Sequence, residues 1–259
     1  MNSSTLEFGA FAESLVDASG KTIMAFWRKK LDIFDKVDES PVTVADRTAE
    51  LLIRQMIERE YPDHGIAGEE FGQVRMDAEY IWSIDPVDGT KAFISGSPLF
   101  GTLIALLQNG APILGIVDIP AMKERWIGGR GIQTTLNKKL VQTRTGIKLQ
   151  DATSGSTSPS NFVGRDAELL SRVHERLKLP IYGHDCYLYG LLALGTIDLV
   201  IEAGVSDYDY LAPSAIVDAA GGIMTGWEGE PLGLGTTDRV VAAGDEKLHA
   251  EVIELLNGD

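Results

Sequence analysis

Residues 81–90 read Ile-Trp-Ser-Ile-Asp-Pro-Val-Asp-Gly-Thr, an apolar strand pattern that delivers two carboxylates and a tight turn at one end. Proline has no amide hydrogen for a sheet ladder, so Pro86 is expected to stop the strand and leave Asp85 and Asp88 exposed at its end. Val87 offers a backbone carbonyl between them, and Gly89 lets the chain turn and a ligand approach the backbone. A second stretch, DYDYLAPSAIVDAAGG at 207–222, sets Asp209 just ahead of a helical pattern closed by two glycines. A fold that joins the two stretches gathers oxygen donors for a hard divalent cation. A helix starting after Gly89 would also turn free N–H groups toward an anion. In isolation the DPVDG string reads as a turn. The number of acidic residues at element ends shifts the reading to metal-assisted phosphate-ester chemistry.

The acidity supports that reading. The formal net charge is −15 over 259 residues, which repels a nucleic-acid backbone and requires bound cations beside any phosphate substrate. Hydrophobic residues make up 44% of the chain and no apolar run approaches a membrane span, so a soluble globular protein is expected. The single Cys186 excludes an intrachain disulfide and a multi-cysteine zinc site, and a reducing cytoplasm fits. No basic start followed by an apolar core marks a signal peptide.

Helical spacing covers 5–30, with Leu15, Val16 and Ile23 among its apolar positions. VTVA at 42–45 reads as a short strand, and Asp46 as the N-cap of a helix to about Glu60 whose apolar positions include Leu51, Leu52, Ile53 and Ile57. Strands are expected near 65–68, 80–84, 100–107, 112–118 and 123–127. The Gly-, Ser- and Thr-rich stretch at 128–160 suggests a boundary, giving an α+β half to about 145 and an α/β half over about 146–259 of one domain. In the second half helices 166–177, 186–194, 210–220 and 245–256 alternate with strands near 181–183, 197–201 and 239–243.

Other acidic residues have local readings. Glu69 ends a strand and could complete a metal shell, whereas Glu70 reads as an exposed loop residue. Asp207 enters only by its nearness to Asp209. Ser19-Gly20-Lys21-Thr22 lacks the leading glycine of a phosphate-binding loop, position 15 being Leu15, and it lies within a helical pattern. The four histidines show no zinc spacing.

Taken together, SPVTVAD at 40–46, GEE at 68–70, DPVDGT at 85–90 and YDYLA…AAGG at 208–222 resemble the inositol monophosphatase superfamily along nearly the whole chain. The resemblance implies an α/β layered sandwich of alternating helix and sheet layers (αβαβα), a homodimer, and magnesium-dependent, lithium-sensitive hydrolysis of a small phosphate ester. It implies Glu69, Asp85, Asp88 and Asp209 as side-chain metal ligands and Val87 as a carbonyl ligand. It further implies that Asp46 helps hold another magnesium, and that Thr90 with Asp46 or Glu69 orients the attacking water. Gly89 and Thr90 would donate backbone N–H bonds to the phosphate. Where the family often carries Trp, this chain has Tyr208.

Substrate choice is expected in the second half. Glu202 stands where the family contacts the leaving group, and Asp185 where inositol phosphatases carry a small neutral residue. Two carboxylates suit a leaving group bearing an amine or imidazolium. PLFGTLIAL at 98–106, ERW at 124–126 and the segment 184–209 resemble the histidinol-phosphatase branch, so histidinol phosphate is the expected substrate. Inositol monophosphate and phosphoadenosine phosphate are the alternatives, and a catalytically silent metal-binding protein is the reading from another class. Asp185 could instead serve only to cap helix 186–194.

Overall fold

A computed structural model describes residues 3–29, 33–35 and 41–258. Ser40, which opens the SPVTVAD motif, and Lys30, at the end of the expected first helix, lie outside the described residues. The first part of the chain runs α1 (Ser3–Phe26), β1 (Ile33–Asp35), β2 (Pro41–Thr43), α2 (Val44–Glu60), β3 (Gly65–Gly68), β4 (Gly72–Val74), β5 (Tyr80–Asp88), α3 (Thr90–Ser95), β6 (Gly101–Gln108), β7 (Ala111–Ile119), β8 (Glu124–Gly129), β9 (Ile132–Leu136) and β10 (Lys139–Leu140). The second part runs β11 (Thr153–Ser156), α4 (Arg165–His174), β12 (Leu179–Tyr182), α5 (Tyr187–Ala193), β13 (Leu199–Ala203), α6 (Asp207–Ala219), β14 (Ile223–Gly226), β15 (Arg239–Ala243) and α7 (Glu246–Asn257).

The period-two side-chain alternation of buried strands sorts these elements into layers. On β6, Ile104 and Leu106 pack with Leu15 and Val16 of α1 and Ile53 and Ile57 of α2. Leu103, Ala105 and Leu107 of the same strand face the other way, against Leu188 of α5 and Leu211 and Ile216 of α6. Val240 and Ala242 of β15 close that middle layer from the far side. Val241 and Ala243 face outward, onto Leu169 of α4 and Val252 of α7. The order is therefore α1/α2, an eight-stranded sheet, α5/α6, a five-stranded sheet, α4/α7, the αβαβα sandwich expected from the sequence. The eight-stranded sheet runs β10-β9-β8-β7-β6-β5-β3-β4 and the five-stranded one β12-β11-β13-β15-β14.

Several local expectations change. β5 does not stop at Pro86 but continues to Asp88, because a register break between Asp85 and Asp88 absorbs the proline. α2 begins at Val44, so VTVA is strand only to Thr43 and Asp46 sits inside the first turn instead of capping it. Leu51, taken as an apolar-face residue, is 47% exposed. The buried stripe of α2 runs instead through Asp46, Ala49, Glu50, Ile53, Arg54 and Ile57, and so includes three charged groups. Strands β9, β10 and β11 lie within the 128–160 stretch read as a boundary, where Gly, Ser and Thr interrupt the apolar alternation.

One aromatic cluster fastens α1 to the sheet and carries a pH dependence. His64 stacks between Tyr61 and Tyr80, at centroid distances of 4.7 and 5.0 Å, and its Nδ1 accepts the Trp82 indole N–H at 3.1 Å. Burial pushes its pKa below the ordinary 6.5, against the smaller opposing pull of Asp63 and Glu79. Below pH 6.5 the unfolded chain therefore takes up a proton more readily than the folded one, and stability falls as pH drops. Thermal melts from pH 7.5 to 5 are expected to show a shallower decline in His64→Gln, which keeps an acceptor for Trp82 but cannot titrate. Identical slopes for the two proteins would remove His64 as a contributor.

Candidate active site

On β5, Ile81 packs toward the middle layer while Trp82 and Ile84 pack toward α1 and α2, so Ser83 and Asp85 face the α5/α6 side. α6 presents its first turn to the same layer. There the Ser206 N–H donates to Asp209 Oδ2 at 2.8 Å, tying the carboxylate to the helix start. Asp209 thus lies within the helix, not ahead of it.

The register break brings Asp88 onto the same side, and carboxylate oxygens of Asp85, Asp88 and Asp209 lie within 4.8 Å of one another. Burial, then the charges of Glu69, Asp88, Asp209 and Asp46, hold the Asp85 carboxyl well above its usual range. Burial and neighbouring carboxylates push Asp88 and Asp209 to about 7. Like charges packed this closely oppose one another's ionisation. An all-oxygen donor set of Asp85, Asp88 and Asp209 under that repulsion fits a hard divalent cation, and Glu69 adjoins it. Val87 lies within the bulge, its N–H donating to Asp85 Oδ1 at 2.9 Å and its carbonyl accepting from Thr90 Oγ1 at 3.2 Å.

Glu69 is placed by a scaffold that the sequence reading missed. Glu50, fully buried on α2, accepts from the Glu70 and Phe71 N–H groups at 2.7 and 3.1 Å and from Arg54 Nε at 2.7 Å. Arg54 Nη2 donates onward to the Gly72 carbonyl. A Cβ at Gly68 would collide with the Glu50 carboxylate, so only glycine lets this pair reach the GEE loop. The spacing of Glu50 and Arg54, four apart on a helix, was the available signal. Glu70 is not the exposed residue expected: its side chain is 3% exposed and lies 3.7 Å from Arg47. Asp207 does not belong to the acidic cluster. Its oxygens accept from the Tyr210 hydroxyl and the Gly235 N–H, at 2.7 and 2.8 Å, and fasten α6 to the 233–235 loop.

Gly89 turns at φ 80°, where a side chain would crowd the Leu99 carbonyl and the Asp185 carboxylate. Beyond it opens a cavity of about 680 Å³ lined by Glu69, Asp88, Gly89, Thr90, Asp185 and Asp209, with the Thr157–Asn161 loop on its far side. An adjoining cavity of about 110 Å³ shares Asp88, Asp185 and Asp209 and adds Tyr189 and Glu202. Asp185 does not cap α5. It sits before that helix at φ 44°, and Asp88 Oδ2 accepts the following Cys186 N–H at 2.6 Å. Burial and the Asp88 charge push Asp185 up to about 7, with Lys91 and His184 pulling the other way.

Glu202, 2% exposed on β13, accepts from the Thr157 N–H and hydroxyl with one oxygen, at 2.6 and 2.8 Å. Its other oxygen is buried without a hydrogen-bond partner, and burial pushes the carboxyl up to about 8. Thr157 and Tyr189 gave no sequence signal, because their roles arise from β13 meeting the loop after β11.

The sequence model of the inositol monophosphatase family matches residues 5–258. The bifunctional phosphatase IMPL2, chloroplastic, of Arabidopsis thaliana is 46% identical over 96% of this chain and 75% of its own length. A histidinol-phosphatase of Streptomyces coelicolor is 34% identical over 95% of each chain. A solved structure of an inositol monophosphatase from Zymomonas mobilis superposes with a TM-score of 0.91 at 40% identity, covering 98% of this chain and 99% of the other.

Proposed function

The chain belongs to the inositol monophosphatase family, and from that premise we propose that it is a magnesium-dependent phosphomonoesterase acting on L-histidinol phosphate. Water adds to phosphorus in line with the ester oxygen, and the P–O bond breaks to give L-histidinol and phosphate without a phospho-enzyme. Glu69, Asp85, Asp88, Asp209 and the Val87 carbonyl hold magnesium, with Asp46 helping to hold a further ion. Magnesium, when bound, supplies a lowered water pKa and positive charge for the phosphoryl and leaving oxygens. Thr90, with Asp46 or Glu69, orients the attacking water, and the Gly89 and Thr90 N–H groups bind the phosphate.

The observation that carries the substrate assignment is the buried, unpartnered Glu202 oxygen in the cavity that Asp185 also lines. Two carboxyl groups whose charged form burial disfavours, beside a phosphate site, suit a leaving group that brings its own positive charge, such as the amine and imidazole of histidinol phosphate. The curated histidinol-phosphatase relatives support the same choice. Inositol monophosphate is the second reading, favoured by the likeness to the Zymomonas mobilis enzyme. On family grounds we also take the protein to be a homodimer, which sedimentation tests, and, from its single Cys186, an enzyme of a reducing cytoplasm. Among the described residues no helix is long and apolar enough to cross a membrane.

Phosphate release from histidinol phosphate and inositol 1-phosphate, with magnesium and then with EDTA, tests the proposal. Magnesium-dependent turnover favouring histidinol phosphate is expected. Asp185→Ala is expected to lower kcat/KM for histidinol phosphate by about 10- to 100-fold more than for the inositol ester, the equivalent of one charge-assisted contact. Equal losses on both would take Asp185 out of recognition.

A further inference from the structure

Asp85 and Asp88 share a face only because β5 carries an extra residue. Residues three apart on a regular strand point to opposite sides. Here Asp85 pairs with Leu103 and Asp88 with Gly101, so Pro86 and Val87 together oppose Thr102 alone. That count defines a β-bulge. Its consequence is visible in the packing: Val87 turns to the α1/α2 side, among Ile23, Ala45, Phe93 and Phe100, while both carboxylates take the other side.

A bulge leaves polar backbone groups without ladder partners, and buried ones must find others. The Val87 N–H is taken by Asp85 and its carbonyl by Thr90. The Pro86 carbonyl accepts the Thr102 hydroxyl at 2.8 Å. Thr102 is fully buried, and Ser19 of α1, also fully buried, lies 3.3 Å from it, hydroxyl to hydroxyl. A hydroxyl has one proton, and that of Thr102 is committed to Pro86, so Ser19 donates to Thr102. The two hydroxyls form a fixed chain from α1 to the bulge. Neither residue lines the substrate cavities.

We propose that Thr102 is a positioning residue for the metal centre, its hydroxyl, held by Ser19, fixing the bulge that places Asp85 and Asp88 on one face. The inference rests on the reading of those carboxylates as magnesium holders. It is tested by titrating magnesium chloride into the full-length protein by calorimetry, with thermal melts of the metal-free forms alongside. Thr102→Val, which keeps the shape and removes the hydroxyl, is expected to bind magnesium about tenfold more weakly, the scale of losing a supporting contact behind a ligand. Thr102→Ser, which keeps the hydroxyl, is expected to bind as the unaltered protein does. Thr225→Val removes a hydroxyl contact, 2.9 Å long, between β14 of the five-stranded sheet and His249 of α7, and is expected to lose stability without losing affinity.

Unchanged affinity in Thr102→Val, or a Thr102→Ser as weak as the valine variant, overturns the proposal. Should Thr102→Val not fold, Ser19→Ala is read instead: about threefold weaker binding is expected, and unchanged affinity overturns it. An unaltered protein that takes up no magnesium sinks the metal reading itself, and this inference with it. Magnesium uptake that Thr102→Val leaves intact removes Thr102 alone.

Discussion

Asp88→Asn is expected to lower magnesium-dependent phosphate release by about a thousandfold or more while leaving the metal-free protein at least as stable. The first effect follows from taking an anionic oxygen donor out of a site built on three mutually close carboxylates; losses of a hundredfold to a thousandfold already accompany less direct contributors to catalysis. The second follows from the repulsion in that cluster. Burial and the neighbouring carboxylates push the Asp88 carboxyl up to about 7, so a neutral amide relieves like-charge crowding. The amide oxygen can still accept the Cys186 N–H, which keeps the start of α5 tied to the end of β5. Circular-dichroism melts in EDTA and a phosphate-release assay in magnesium separate the two effects. Activity near that of the unaltered protein, with the fold intact, would refute Asp88 as a metal holder. A large drop in the metal-free melting temperature would show instead that Asp88 is chiefly a structural cap.

Glu50→Ala is expected to cost about 3–5 kcal/mol of stability, the range for breaking a buried ion pair from one side. The Arg54 side chain is 9% exposed and that of Glu50 is fully buried. Without the carboxylate, Arg54 keeps its charge in the interior, and the Glu70 and Phe71 N–H groups lose their acceptor. Glu50→Gln retains an acceptor oxygen and is expected to lose less. Urea denaturation in EDTA measures both. Because the same bonds set the loop carrying Glu69, magnesium is expected to stabilise Glu50→Gln less than the unaltered protein. A Glu50→Ala change below about 1 kcal/mol would class the pair with exposed salt bridges.

The two predictions draw on different kinds of information. Asp88 was legible in the sequence, because its neighbours Pro86, Val87 and Gly89 form a local string whose chemistry can be read without knowing what surrounds it. Glu50 was not. On α2 the eye follows Leu51, Leu52 and Ile53, and the rule that apolar residues face inward selects Leu51, which is exposed. The face turned inward carries Asp46, Glu50 and Arg54, and the loop packed against it presents backbone N–H and C=O groups that take Glu50 and Arg54 as partners. Burial of charge follows what lies opposite, and a helix sequence does not contain its opposite surface.

Pro86 shows the same limit at the level of one residue. Its missing N–H correctly marks a break in the ladder, but whether the break ends the strand or becomes a bulge depends on β6. Thr102, sixteen residues further on, supplies the hydroxyl that donates to the Pro86 carbonyl the bulge leaves without a ladder partner.

The sequence by itself determined most of the elements and the donors: apolar periodicity marked the main helices and strands, and carboxylates at the ends of β3 and β5 and in the first turn of α6 supplied the oxygen donors. These are local properties, fixed by backbone periodicity and by the groups each residue carries. Only the tertiary structure decided which face Asp88 takes, that Glu50 rather than Leu51 turns inward, and that Glu202 keeps one oxygen free beside Asp185. Each of these depends on partners distant in sequence, through the register of β5 on β6, the approach of α2 to the GEE loop and the contact of Thr157 with β13.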